Sequence, residues 1–144
     1  MKSILHPSDF SKASRPALKK AIELAKTMRG SLHLLHVMAP VPILGDGYIS
    51  PKTYDELLIS ASESARRQME RLVKTARTAG VKATSTIVQG VPADSIVRAA
   101  RAKHADVIVM GTHGRTGFSR FLLGSVASRV VATSPCPVLT VRGR

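Results

Sequence analysis

Two stretches of this chain carry residue types and spacings that could do chemistry. In the first, an apolar run, Val107-Ile108-Val109-Met110, leads into Gly111-Thr112-His113-Gly114-Arg115-Thr116-Gly117. After residues 118–123, Gly124-Ser125 opens a segment in which Val126, Val130 and Val131 recur at helical spacing. Glycine lets another group approach the backbone closely. The first amides of a helix have no internal partners and attract negative charge. A strand, a glycine loop and a Gly-Ser helix start therefore form a candidate phosphate cradle. The same residues also fit a tight strand-to-helix turn that holds no ligand. Ser125 could donate its hydroxyl or cap the helix, and His113, between the glycines, could donate to a phosphate. The second stretch is Pro7-Ser8-Asp9, just past the first apolar run. Asp9 there is either a ligand contact or the acceptor of a helix cap or Asx-turn.

The elements that must position these residues can be read from periodicity. Residues 3–6, 31–38, 81–89, 106–110 and 138–141 read as strands. The run at 106–110 is apolar without alternation, as a strand buried on both faces should be. The run at 81–89 alternates through Val81, Ala83, Ser85 and Ile87, which suggests a half-exposed strand near a sheet edge. Helices are expected over 12–29, from the low fifties to about 79, over 92–103, and from Gly124 to about 133. Pro16 and Pro92 fall in first turns, where the missing N–H is harmless, and Gly30 is placed to stop the first helix. Residues 39–52 hold Pro40, Pro42, Gly45, Gly47 and Pro51 and break any regular pattern. A loop of that length is either a lid or a passive variable connection. Strands alternating with helices imply a parallel sheet covered on both faces by right-handed crossovers. No internal repeat or linker divides residues 1–144, so a single domain is expected.

The spacing Gly111-x2-Gly114-x9-Gly124-Ser125 resembles the nucleotide-binding signature of the universal stress protein family. The resemblance runs on through Leu122-Leu123-Gly124-Ser125-Val126 and Ser134-Pro135-Cys136-Pro137-Val138-Leu139-Thr140-Val141, and covers essentially the whole chain. It implies a Rossmann-like α/β fold: an open five-stranded parallel sheet in the order 3-2-1-4-5. On that order Pro7, Ser8 and Asp9 meet Met110 and Gly111 at the switch point where ligands bind in open α/β sheets. The resemblance implies ATP as ligand, with Mg2+ arriving on its phosphates. Asp9 would contact the adenosine part, and Val37 would line the adenine pocket unless it is plain core. Gly111 and Gly114 would leave room, His113 would donate, and Gly124, Ser125 and Val126, with Ala127, would face the phosphates. A homodimer through the apolar last strand, Val138, Leu139 and Val141, is also implied, since an uncovered apolar edge is a pairing surface. The function implied is that of a regulatory or stress-response module. The alternative from a different class is a slow ATP hydrolase. The glycine motif contains no carboxylate or Gln to orient an attacking water, so little or no turnover is expected.

Several other chemistries are excluded. There is no G-x-x-x-x-G-K-[ST], and glycines 111, 114 and 117 do not form G-x-G-x-x-G. No His, Cys, Asp and Glu set has metal-ligand spacing. The single cysteine, Cys136, allows no intrachain disulfide. Twenty-two Lys and Arg against nine Asp and Glu give a net charge of +13, a field that favours acidic partners. The basic residues are spread over every helix, as Lys12, Lys19, Arg66, Arg71, Arg98, Arg101 and Arg129. With three Phe, two Tyr and no Trp there is little for bases to stack on. Solvated helix faces account for this charge better than specific nucleic-acid binding; nonspecific binding is the weaker alternative. No apolar run approaches a membrane span and the N-terminus has no signal-peptide pattern, so a cytoplasmic protein without membrane contact is expected.

Overall fold

The computed structural model describes residues 2–40, 47, 49–113 and 122–143. Its elements in chain order are β1 (Ser3–Pro7), a 3-10 turn (Lys12–Ser14), α1 (Arg15–Thr27), β2 (Ser31–Met38) and α2 (Pro51–Thr78), followed by β3 (Lys82–Gln89), α3 (Pro92–Ala102), β4 (Val107–Gly111), α4 (Ser125–Thr133) and β5 (Val138–Val141). All strand pairs are parallel and the sheet order is β3-β2-β1-β4-β5. β1 is central. Ile4 is opposite Leu32 on one side and Val107 on the other, and Leu5 is opposite His33 and Ile108.

Strand alternation divides the core between the two faces. On one face Ile4, Leu32, Leu34 and Val109 pack with Leu18, Ala21 and Ala25 of α1 and Met69 and Ala76 of α2. On the other, Leu5, Leu35, Ile108 and Met110 pack with Ala93, Ile96 and Ala100 of α3 and Ala127 and Val130 of α4. Each fully buried Leu or Ile here contributes roughly 1.5–3 kcal/mol relative to exposure. α1, α2 and α3 each start with proline at the first or second position, and Ser50 caps α2 by accepting the Thr53 N–H at 3.2 Å.

Three local expectations need correction. Gly30 does not supply a left-handed stop. Arg29 takes that conformation at φ 51°, and Gly30 is required because a Cβ there would meet the Lys2 carbonyl oxygen at 2.5 Å. On α4, Val130 is fully buried, whereas Val131 is 49% exposed; the inward stripe is Val126, Ala127 and Val130. On β3 the alternation fails at Ser85, which is exposed, while Val81 and Ala83 are buried. β3 is an edge strand, as its alternation suggested. Of the expected 39–52 loop, residues 41–46 and 48 lie outside the described residues. Among the described residues no helix is long and apolar enough to cross a membrane.

Candidate functional site

The carboxyl ends of β1 and β4 lie side by side where the strand order reverses, because the chain leaves β1 toward β2 and later returns to place β4 on its other edge. A cavity of about 780 Å3 opens there. Its floor is the strand ends: Pro7, Ser8 and Asp9 after β1, Leu35 and Val37 on β2, and Met110, Gly111, Thr112 and His113 after β4. The approach to α4 and its first turn, from Leu122 to Ala127, form one wall, and Pro92 and Ile96 of α3 form another.

The α4 wall is held by one backbone bond. The Gly124 N–H donates to the Thr112 carbonyl at 2.7 Å, so the chain that leaves β4 returns to its own starting point before α4 begins. A Cβ on residue 124 would lie 2.9 Å from that carbonyl oxygen, a contact that only glycine avoids. This changes the expected role of Gly124: its amide is spent on Thr112 and is not an anion donor. The first bond inside α4 runs from the Ser128 N–H to the Gly124 carbonyl at 2.8 Å, and among the described residues no side chain caps the helix. The N–H groups of Ser125, Val126 and Ala127 therefore precede the intrahelical ladder, at the cavity wall, with the positive end of the helix dipole behind them.

Across the cavity, the turn after β1 is built from short polar side chains. Asp9 Oδ1 accepts the Ser11 N–H at 2.9 Å, an Asx-turn. Ser14 donates its hydroxyl to the Ser11 carbonyl at 2.7 Å, which leaves the Ser8 hydroxyl to donate to Ser14 Oγ at 3.4 Å. Ser8 Oγ in turn accepts the Phe10 N–H at 3.1 Å, with Phe10 at φ 65°. The Ser8 N–H donates to the Leu35 carbonyl at 2.8 Å, extending the β1–β2 ladder into the site. Beyond β4, Thr112 Oγ1 and His113 Nδ1 are 3.1 Å apart. Behind the turn His6 is fully buried. Burial lowers its pKa from 6.5 to about 4, against the Val109 carbonyl and the Asp9 charge, which both favour the cation. His6 is thus neutral at physiological pH.

Of the residues singled out from sequence, Pro7, Ser8, Asp9, Val37, Met110, Gly111, His113, Gly124, Ser125, Val126 and Ala127 all line this one cavity. Gly114 lies outside the described residues, as do Arg115, Gly117 and Arg120. Val37 is both core and lining: it packs against the α3–α4 cluster and borders the cavity. Sequence reasoning missed Ser14, Leu35, Ala39, Pro92, Ile96, Thr112, Leu122 and Leu123. Thr112 and Leu123 adjoin predicted residues, and closer attention to the motif's neighbours finds them. Pro92 and Ile96 enter only because α3 crosses over β2, which no local pattern states. Among the described residues no group of three or more His, Cys, Asp or Glu side chains could hold a metal ion.

The family model of the universal stress protein family matches residues 1–142. The chain belongs to that family. Universal stress protein MJ0531 of Methanocaldococcus jannaschii is 40% identical over 144 residues, covering 98% of this chain and 82% of that protein. The solved structure of MJ0577, a universal stress protein of the same organism, superposes with a TM-score of 0.84 at 32% identity, covering 99% of this chain and 96% of the other. A universal stress protein solved in complex with cAMP shares the fold, with a TM-score of 0.74, 22% identity and coverage of 99% and 98%. The family fold agrees with the five-stranded sheet and its order.

Proposed function

We propose that this universal stress protein binds ATP in the cavity between β1, β4 and α4 and acts in the cytoplasm as a regulatory module with little or no hydrolysis. The observation that carries the reading is the uncapped start of α4. Three backbone amides without intrahelical partners face a cavity at the sheet's switch point. The volume supports it: about 780 Å3 lies within the range of roughly 300–1,000 Å3 usual for cofactor-sized ligands. The apolar side, with Leu35, Val37 and Ile96, suits a base, and the polar turn at Ser8 and Asp9 suits a ribose. A family member that binds cAMP supports an adenine nucleotide as the ligand class. The donor set fits phosphates and not a free metal, so Mg2+ would be held by the phosphates themselves and would supply charge neutralisation there. The protein's own residues would orient the nucleotide: Asp9 at the sugar, His113 and the α4 amides at the phosphates.

The test is calorimetric titration of ATP into wild type and Ser125→Asp. An acidic residue in the first turn favours the helix dipole by about 0.3–1 kcal/mol, so folding is kept. The same charge opposes phosphate at the α4 amides, and affinity should fall at least about tenfold. ATP binding that is absent in folded wild type, or indifferent to Ser125→Asp, would refute the reading.

A further inference from the structure

A second cleft opens on the other flank of α3, between that helix and the β2–β3 edge. Its volume is about 230 Å3, and Ser95, Arg98, Ala99 and Lys103 line it from the helix side, Thr86, Val88 and Gln89 from β3, and His33 and Leu35 from β2. Three observations point to an anion. Arg98 and Lys103 form no ion pair among the described residues, whereas Arg129, on the neighbouring α4, is paired with Asp94 at 3.0 Å. The lining contains no carboxylate. Ser95 lines the cleft, and its hydroxyl makes no hydrogen bond among the described residues, which leaves it to water or to a ligand there.

His33 does not compete for that role. Its ring is held at both ends, Nδ1 to Thr84 Oγ1 at 2.7 Å and Nε2 to Thr86 Oγ1 at 2.8 Å. It forms a fixed polar back wall. The partly exposed apolar part of the lining, Val88 and Ala99, offers a surface for a short carbon body. The volume is below the usual cofactor range and suits a ligand smaller than a nucleotide. A guanidinium, an ammonium and a hydroxyl lining one small cleft match a phosphate dianion, which takes charge-assisted hydrogen bonds on several oxygens.

We propose that this cleft binds a small phosphomonoester, with its phosphate on Arg98, Lys103 and the Ser95 hydroxyl and its carbon body on Val88 and Ala99. The site shares only the buried Leu35 with the cavity assigned to the nucleotide and does not rest on that assignment.

The experiment is an amide NMR titration of the full chain with inorganic phosphate and with glycerol 3-phosphate, at ionic strength held constant with sodium chloride. Saturable shifts are expected at Thr86, Ser95, Arg98 and Lys103, with glycerol 3-phosphate the tighter of the two. Arg98→Gln combined with Lys103→Gln should weaken binding about tenfold or more, and Ser95→Ala several-fold, with no change in melting temperature for the exposed pair. Lys103 helps to hold the His33 pKa down, so a bound dianion should raise it in a carbon-detected pH titration. Shifts confined to Gly111 and Ser125, shifts that survive the double variant, or no saturation at all would overturn the site. Equal affinity for the two ligands would overturn the carbon-body part.

Discussion

His6 should make this protein acid-sensitive in a way that one substitution removes. Its Nδ1 lies 2.7 Å from the Val109 carbonyl, which can only accept, so the proton sits on Nδ1. Nε2 is buried and has no partner among the described residues. Protonation would bury a second N–H, now charged, with nothing to receive it. Burial therefore lowers the pKa from 6.5 to about 4. Each tenfold change in proton affinity is worth about 1.4 kcal/mol, so the difference amounts to about 3 kcal/mol. The sign follows from which state takes the proton first. The unfolded chain protonates His6 near pH 6.5 and the folded chain only near pH 4, so between them the unfolded state holds more protons. Stability from this group is complete above pH 6.5 and is lost as pH falls to 4. Against a total of about 5–15 kcal/mol this is a large share. His33 shifts in the same direction and adds to the trend, so the assay must isolate His6. Urea unfolding of wild type and His6→Asn from pH 7.5 to pH 4 does so, because Asn keeps an N–H for Val109 and does not titrate. The variant starts lower, with a cavity behind it, but should lose about 3 kcal/mol less over that range. Parallel stability curves for the two proteins would refute the account of His6.

Gly124→Ala should destabilise the protein by about 1–3 kcal/mol and weaken ATP binding together, since its Cβ would press on the Thr112 carbonyl at 2.9 Å; differential scanning calorimetry checks the first effect. β5 is an edge strand with Leu139 39% exposed, so we expect a homodimer through Val138, Leu139 and Val141. Val138→Lys with Val141→Lys should give monomers or aggregates in light scattering, and a wild-type mass of one chain at micromolar concentration would refute the dimer. ATP turnover should stay well below one per second in a phosphate-release assay, because uniform binding of the phosphates does not accelerate chemistry; multiple turnovers per second would place the protein among the hydrolases.

The fold was legible because every element announces itself locally. The aliphatic strands, the three-four spacing of the helices and the prolines at the starts of α1 and α3 leave little choice of class, whereas Pro51, read as part of the irregular 39–52 stretch, in fact opens α2. The cavity floor was legible too, since a parallel sheet carries its loops at the strand ends, and Asp9 and Gly111 stand at those ends. What could not be read is where packing decides. α3 contributes Pro92 and Ile96 because it packs over β2 and against α4, and no local residue pattern encodes that placement. Val131 faces outward while Ala127 and Val130 carry the buried stripe of α4, and the spacing of the valines alone does not say which of them packs. Gly30 was read as a helix stop and Gly124 as part of the glycine motif, yet each is fixed by a carbonyl elsewhere in the chain, Lys2 for one and Thr112 for the other.

Asp9 shows why alternatives set against each other in a sequence need not exclude one another in the molecule. A turn role and a ligand role seemed to compete for one side chain. An ionised carboxylate has two oxygens with about four acceptor positions. The Ser11 N–H takes one position on Oδ1, and the same residue borders the cavity. The Asx-turn costs the site little and fixes the direction of the carboxylate before any ligand arrives. Ordering a free side chain at the moment of binding costs about 0.5–1.5 kcal/mol, and this one is already ordered. Gly124 works in the same manner on the opposite wall. Its amide is lost as a donor, but the bond to Thr112 holds the next three amides in place. In both cases a residue spends hydrogen-bonding capacity on the fold, and the group that borders the cavity is held in a set direction. Preorganisation of this kind predicts that substitutions which loosen the anchor, and touch no ligand atom, will lower affinity through order and not through contact.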